Sequence, residues 1–568
     1  MKKLNRREFV AASVAAAGSG LVPRVAAAGP RAEPVLRRSD VVFMYQADRK
    51  VYDEYGATVL AWGGVPTPRT LQEARGIRFF GSVGMVTEFA RYYERFPQTY
   101  EEGLCRDVFG KPVKVPWLTD MQHKGVPFWW CCTNQPRFRS YVRERVVETV
   151  KAGAYGVHID DHMGTAGSLW LGVCFCDRCV EGFAAVQAGH ADFRAEALKW
   201  AQAHGGKAES VTQHPLWPQW TIYQCRAAAG FMMELRKLAA ETAGHPVPIG
   251  ENAGLLWPRH LSDYKAVDLF SAETDHGADK RQWIDTPLVA YRLADAVGRP
   301  YAATASGGDW AFVKANNTPG LVRGWIALGY AAGHCLMAPH HQWCYTPEKG
   351  THWYDGPSEK FAPLYRFVRA NSNFLDGYES HADLSVVMPH ASFVQNPARW
   401  TALFDRLSAA NITYRILLAG DEIVDHPLAE LQLRTANLLV ANATDLLPPD
   451  SKLVAERQRR GGVFTDVDEA MRAVRPAVRI EAPSRVLALP RVKPGSAVIH
   501  LVNRTYDAKA DGETPLHDVK VTVDLSTLGL KRAGTCRWVT PDSPAVELPI
   551  ADGLVTIPTM GLWGMLVV

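Results

Sequence analysis

From about residue 40 to 375, short apolar runs alternate with amphipathic stretches, and no other feature limits the possible folds as strongly. The runs are Val41–Tyr45, Ile77–Gly81, Pro127–Cys131, Gly156–Asp160, Val247–Glu251, Val267–Ala272, Tyr301–Thr304 and Cys335–Ala338. Eight strands with helices between them, such as Tyr141–Ala152 and Ala227–Thr242, make an α/β chain whose first large unit is a (β/α)8 TIM barrel. A long excursion from Gly164 to Pro218 interrupts the alternation after the fourth strand.

Past the barrel, Leu384–Met388, Tyr414–Leu418 and Leu438–Val440 read as parallel strands separated by helices, with Arg459-Arg460-Gly461-Gly462 as a turn. Residues 380–475 are therefore expected to form a small flavodoxin-like α/β domain. Residues 478–568 are strand-rich and broken by Pro, Gly and Asp, as in a β-sandwich. At the N-terminus, Arg6-Arg7 precedes the apolar run Val10 to Ala17, and Ala26-Ala27-Ala28 offers small residues for cleavage. Residues 1–28 read as a twin-arginine signal peptide, which predicts a periplasmic or secreted protein exported already folded. No other segment reaches the length of a membrane span. A formal charge of +4 on 568 residues gives no sign of a nucleic-acid partner. The 17 tryptophans provide flat apolar faces of the kind sugar rings stack on, although most such residues belong to a core.

Cys174-x-Cys176-x-x-Cys179 lies just downstream of the strand Gly156–Asp160, which ends in the pair Asp160-Asp161. Sulfurs crowded this tightly pair poorly among themselves, whereas they suit a tetrahedral structural zinc closed by a fourth thiolate. Free thiols and disulfides are the competing readings. Cys105, Cys131 and Cys132 all lie upstream as possible fourth ligands.

Cys132-Thr133-Asn134-Gln135-Pro136-Arg137-Phe138-Arg139, followed by His158-Ile159-Asp160-Asp161-His162-Met163-Gly164 and the clustered cysteines, resembles glycoside hydrolase family 42, the β-galactosidases with a trimerisation domain. The resemblance implies that Cys132 completes the zinc site with Cys174, Cys176 and Cys179. It also implies the order barrel, small α/β domain and β-domain, and a homotrimer built through residues 380–475. The family's two catalytic glutamates are missing, however. His162 stands where its acid/base belongs, and Ala305 stands at the position of its nucleophile.

Other strand-end carboxylates remain to carry the chemistry. The run Gly156-Val157-His158-Ile159-Asp160 is similar to the nucleophile strand of α-amylase-like enzymes. Asp160, Cys174-Phe175-Cys176-Asp177-Arg178-Cys179 and Phe183 together resemble hypothetical glycosyl hydrolases related to the α-L-fucosidases of family 151. These resemblances imply a retaining exo-glycosidase acting on an α-linked sugar of an oligo- or polysaccharide, with Asp160 as nucleophile. Glu273 and Glu251 share the candidacy for the acid/base; Glu251 could instead be an orienting residue beside Asn252, and Glu273 falls where family 42 has a substrate-side Asp. Asp161, His162, Asn252, Trp257, Asp309, Trp310, His340, His341 and Trp343 lie at or after strand ends and are the expected sugar contacts, although Asp161 could equally cap a helix. His162, His340 and His341 lack the local spacing of a second metal site. The alternative function is a catalytically inactive, carbohydrate-binding barrel.

Overall fold

The computed structural model describes residues 34–482, 485–531 and 533–568; the signal-peptide segment lies outside the described residues. Eight parallel strands follow one another around a single sheet: β1 (Val42–Phe43), β2 (Val59–Leu60), β3 (Arg78–Gly84), β4 (Gly156–Asp160), β5 (Ile249–Glu251), β6 (Leu269–Thr274), β7 (Tyr301–Ala305) and β8 (Cys335–Leu336). A parallel bridge from Phe43 to Ala338 joins the two edges, with the Ala338 N–H donating to the Val42 carbonyl at 2.7 Å. The sheet is thus a nearly closed barrel. Its strands are buried on both faces: β4 is apolar or buried until Asp160, and every residue of β7 is buried.

The expected strand Pro127–Cys131 is not part of this barrel. Its place is taken by β2, and residues 122–131 belong to the loop after β3. There Gln122–His123 pairs with Val126–Pro127, while Trp129 and Cys131 bridge Lys114 and Leu104. The physical reason is length. Only Val59 and Leu60 enter the ladder before Gly63. That glycine is required because a Cβ on it would lie 2.4 Å from the Phe79 ring. A two-residue strand leaves too little alternation to be recognised.

Leu36–Val568 packs as one compact unit. After the barrel comes a four-stranded parallel sheet in the spatial order Tyr414–Ala419, Leu384–Pro389, Leu438–Leu439, Val463–Phe464, the flavodoxin-like order expected of a doubly wound layer. The last region holds a six-stranded and a three-stranded sheet. Ile499, Leu501 and Leu566 of the first and Val521, Val555 and Ile557 of the second share one buried core, which makes a β-sandwich. The α/β layer touches the loop after β5: His390 Nε2 lies 2.9 Å from the Pro258 carbonyl, and the Tyr264 hydroxyl donates to the Asp425 carbonyl at 2.9 Å. Among the described residues, no helix is long and apolar enough to cross a membrane.

Candidate active site

The C-terminal ends of β4, β5 and β6 lie side by side, and each delivers polar groups to the mouth of the barrel. Asp160 closes β4. Its Oδ1 accepts from the Asp161 N–H at 3.1 Å and from Asn252 Nδ2 at 3.1 Å, and its Oδ2 accepts from the Thr87 hydroxyl at 3.2 Å. Asn252, the residue after β5, also accepts the Glu273 N–H on its Oδ1 at 3.4 Å. One amide therefore spans the gap between a carboxylate from β4 and a glutamate from β6.

The two carboxyls differ in their surroundings. Burial raises both above the ordinary carboxylate range. Asp160 is drawn back by its three donors, whereas burial first and then the Asp160 charge push Glu273 up to about 7, with Asn252 alone opposing them. Asp161 is held well above its usual range by burial and then by the charges of Asp160 and Glu273. Its φ of 51° is left-handed, a conformation that Asp tolerates better than most residues and that points its N–H at Asp160. Asp160, Asp161 and Glu273 are each half-buried.

Glu251 lies elsewhere. Its side chain is fully buried, 3.3 Å from His162 Nδ1, and that nitrogen lies 2.7 Å from Asp263 Oδ2. Glu251 and His162, both expected at the sugar, thus share a buried cluster behind the strand ends. Asp309 and Trp310 are also taken up by the fold. Asp309 accepts from the backbone N–H groups of His276 and Ala278 and from the Ser306 hydroxyl, in a capping box that starts the helix Gly307–Asn316. Trp310 is buried, donates its indole N–H to Thr304 and stacks on Tyr354.

Aromatic groups flank the carboxyls. Tyr45, just past β1, packs edge-on against Trp62 and Trp353, and its hydroxyl is pushed up by burial and then by the charges of Glu273 and Asp160. His341 stacks on Trp353 at 4.5 Å and pairs with Asp355. His340 is brought down to about 4 by burial and is neutral. Trp343 is half-buried and donates to Thr351, while Trp257 is 68% exposed at the rim. Tyr45, Thr87, Asp263 and Trp353 escaped the sequence reading; for Tyr45 the sign was its position directly beyond a barrel strand.

The four expected cysteines do converge. Cys132 Sγ lies 3.7 Å from Cys176 Sγ and 3.6 Å from Cys179 Sγ, and Cys174 completes the buried group. All ten cysteines are free thiols. Three outer donors reach the sulfurs: the Arg106 N–H to Cys174, the Thr165 hydroxyl to Cys132 and Asn134 Nδ2 to Cys179. Burial opposes ionisation of Cys132, but the neighbouring thiols of Cys105, Cys174, Cys176 and Cys179 outweigh it and hold Cys132 well below its ordinary range, whereas burial pushes Cys174 and Cys179 well above theirs, so one thiolate is shared among the group. Cys131 stands apart with its thiol pushed up by burial, and Cys105 borders the group without joining it. The cluster can hold a metal ion.

No family model matches the chain. In sequence it is similar to an α-agarase of Alteromonas agarilytica, 21% identical over 612 residues that cover 94% of this chain and 42% of the agarase. The chain spans about two-fifths of the length of the curated relatives it matches. In structure it is similar to α-L-fucosidase isoenzyme 2 from Paenibacillus thiaminolyticus, with a TM-score of 0.58 at 13% identity, covering 94% of this chain and 99% of the other. It is also similar to a β-galactosidase from Bacillus circulans sp. alkalophilus, with a TM-score of 0.57 at 12% identity, covering 93% and 98%. A barrel mouth carrying paired carboxyls, set in this order of barrel, α/β layer and sandwich, gives the chain the fold of the TIM-barrel glycosidases, including the β-galactosidases that its cysteine motif resembles.

Proposed function

We propose that the protein hydrolyses an α-glycosidic bond by double displacement, with Asp160 as nucleophile and Glu273 as acid/base. The observation that carries this reading is the unequal treatment of two neighbouring carboxyls: three donors favour a charged Asp160, while burial and that charge leave Glu273 protonated up to about pH 7. In the first step Glu273 gives its proton to the departing glycosidic oxygen while an Asp160 oxygen bonds to the anomeric carbon. In the second step Glu273 takes a proton from water, whose oxygen displaces Asp160, so the net change is addition of one water across the bond.

The relatives' names point to the substrate class. Agarose and its oligosaccharides are the first candidates, with aryl α-L-fucosides as the exo-acting alternative. The test is release of reducing ends from agarose oligosaccharides, run beside a panel of nitrophenyl α- and β-glycosides. Turnover of an α-linked substrate is expected; silence on every member would favour an inactive sugar-binding barrel.

We also propose zinc at Cys132, Cys174, Cys176 and Cys179. In a tetrahedral site with Zn–S bonds of about 2.3 Å the sulfurs stand about 3.8 Å apart, close to the 3.6 and 3.7 Å found. Four thiolates leave no position for water, so this metal would brace the loop after β4. A homotrimer through residues 380–475 and export by the twin-arginine route complete the proposal. Light scattering and a signal-to-lysine variant, Arg6→Lys with Arg7→Lys, test them.

A further inference from the structure

The cluster behind the strand ends is unusual in its polarity. His162, Glu251 and Asp263 have 1%, 0% and 2% of their surface exposed. Both Glu251 oxygens, Asp263 Oδ1 and His162 Nε2 lack a hydrogen-bond partner, although isolated buried polar atoms are costly. Among the described residues, no lysine or arginine pairs with either carboxylate; the only basic partner is His162. His260 completes the surroundings, its ring edge-on to His162 at 5.0 Å and its Nδ1 also without a partner.

One imidazole nitrogen faces two carboxylates, and a single N–H cannot serve both. Two carboxylates and an imidazolium would leave one negative charge in a water-free place. A neutral imidazole, two carboxylates and a dication sum to zero. Bonds of about 2.0–2.2 Å at angles between 90° and 109° put ligand atoms roughly 3.0–3.4 Å apart; His162 and Glu251 stand at 3.3 Å, while the 2.7 Å contact of His162 with Asp263 is a hydrogen bond that would open by a few tenths of an ångström to admit the ion.

We propose that His162, Glu251 and Asp263 bind a divalent transition-metal ion, distinct from the thiolate site. Mixed imidazole and carboxylate donors suit zinc, manganese or iron(II) better than calcium, and His260 is placed to become a fourth ligand by turning its ring. The position gives the ion a purpose. His162 follows Asp160-Asp161, and Glu251 precedes Asn252, so one ion would fix from behind both the turn carrying Asp160 and the amide that joins it to Glu273. These residues are positioning residues and do not touch the sugar.

The test uses the full-length protein with manganese, which thiolates bind poorly. Protein stripped with a chelator and dialysed against manganese chloride should retain one Mn2+ per chain. Treated in the same way, Glu251→Gln and Asp263→Asn should bind it at least 10-fold more weakly, while the same variants as purified, before stripping, should carry as much thiolate-site metal as the wild type. Should either variant fail to fold, anomalous difference maps from wild-type crystals soaked in manganese or zinc decide the question, with a peak expected between His162 Nδ1 and the two carboxylates. The proposal is overturned if the wild type shows no such peak and no bound metal beyond the thiolate site. It is equally overturned if Glu251→Gln binds Mn2+ as tightly as wild type, which would mean that Glu251 is not a ligand.

Discussion

Two acidic groupings lie within a few residues of each other in this barrel, yet they meet opposite environments. Asp160 and Glu273 are half-buried at the mouth, bridged by Asn252 and supplied with unequal numbers of donors. Glu251 and Asp263 are sealed behind the strands, with His162 as their only basic partner among the described residues. A strand-end carboxylate is therefore not a catalytic group by position alone. Access to the mouth and the balance of donors are what distinguish the pair proposed to react from the sealed one.

The comparison breaks most visibly at Asp160. Asp160→Ala should cut turnover by about 10⁴-fold or more with no change in far-UV circular dichroism, and added azide should restore part of it by replacing the carboxylate. Asp161→Asn should cost far less; the reverse order would move the nucleophile by one residue.

Glu273→Gln should lower kcat by about 10²–10⁴-fold on substrates with poor leaving groups and spare activated aryl glycosides. Because Glu273 must be protonated and Asp160 charged to act, kcat/KM should fall as pH rises through about 7 and fall again at acid pH as Asp160 takes up a proton, and the Glu273 variant should lose only the alkaline limb on aryl substrates. The same group lies above its unfolded-state range, so its ionisation also reduces stability as pH rises from about 4.3 toward about 7.

On the sealed side the effects should appear first in stability. Asp263→Ala removes one partner of a buried charged group and should cost about 3–5 kcal/mol in denaturant unfolding. Asp309→Ala, which strips a helix cap and two loop N–H groups of their acceptor, should cost about 2 kcal/mol. The smallest expected change is at the rim, where Trp257→Ala should raise KM about 2- to 10-fold and leave the melting temperature alone.

The barrel was legible in the sequence because fully buried parallel strands leave continuous apolar runs, and β4 was found with its bounds intact. The second strand was missed because two residues carry no periodicity, and the apolar run 127–131 looked stronger while belonging to a loop. The cysteine cluster was legible from spacing, with Cys132 assigned by resemblance and found among the four. The different surroundings of Glu251 and Glu273 were not legible, because both lie at strand ends and only the loop carrying Asp263 and the turn carrying His162 seal one of them away. Asp309 did leave a sign, since Ser306-Gly307-Gly308-Asp309 has the spacing of a capping box.

The most direct test of the central claim is to identify the residue that carries the sugar during turnover. Enzyme quenched in acid while hydrolysing an activated α-glycoside, then digested and read by tandem mass spectrometry, should show one glycosyl unit esterified to Asp160. A label on Asp161 or Glu273, or an unlabelled enzyme that releases product of inverted configuration, would contradict the account.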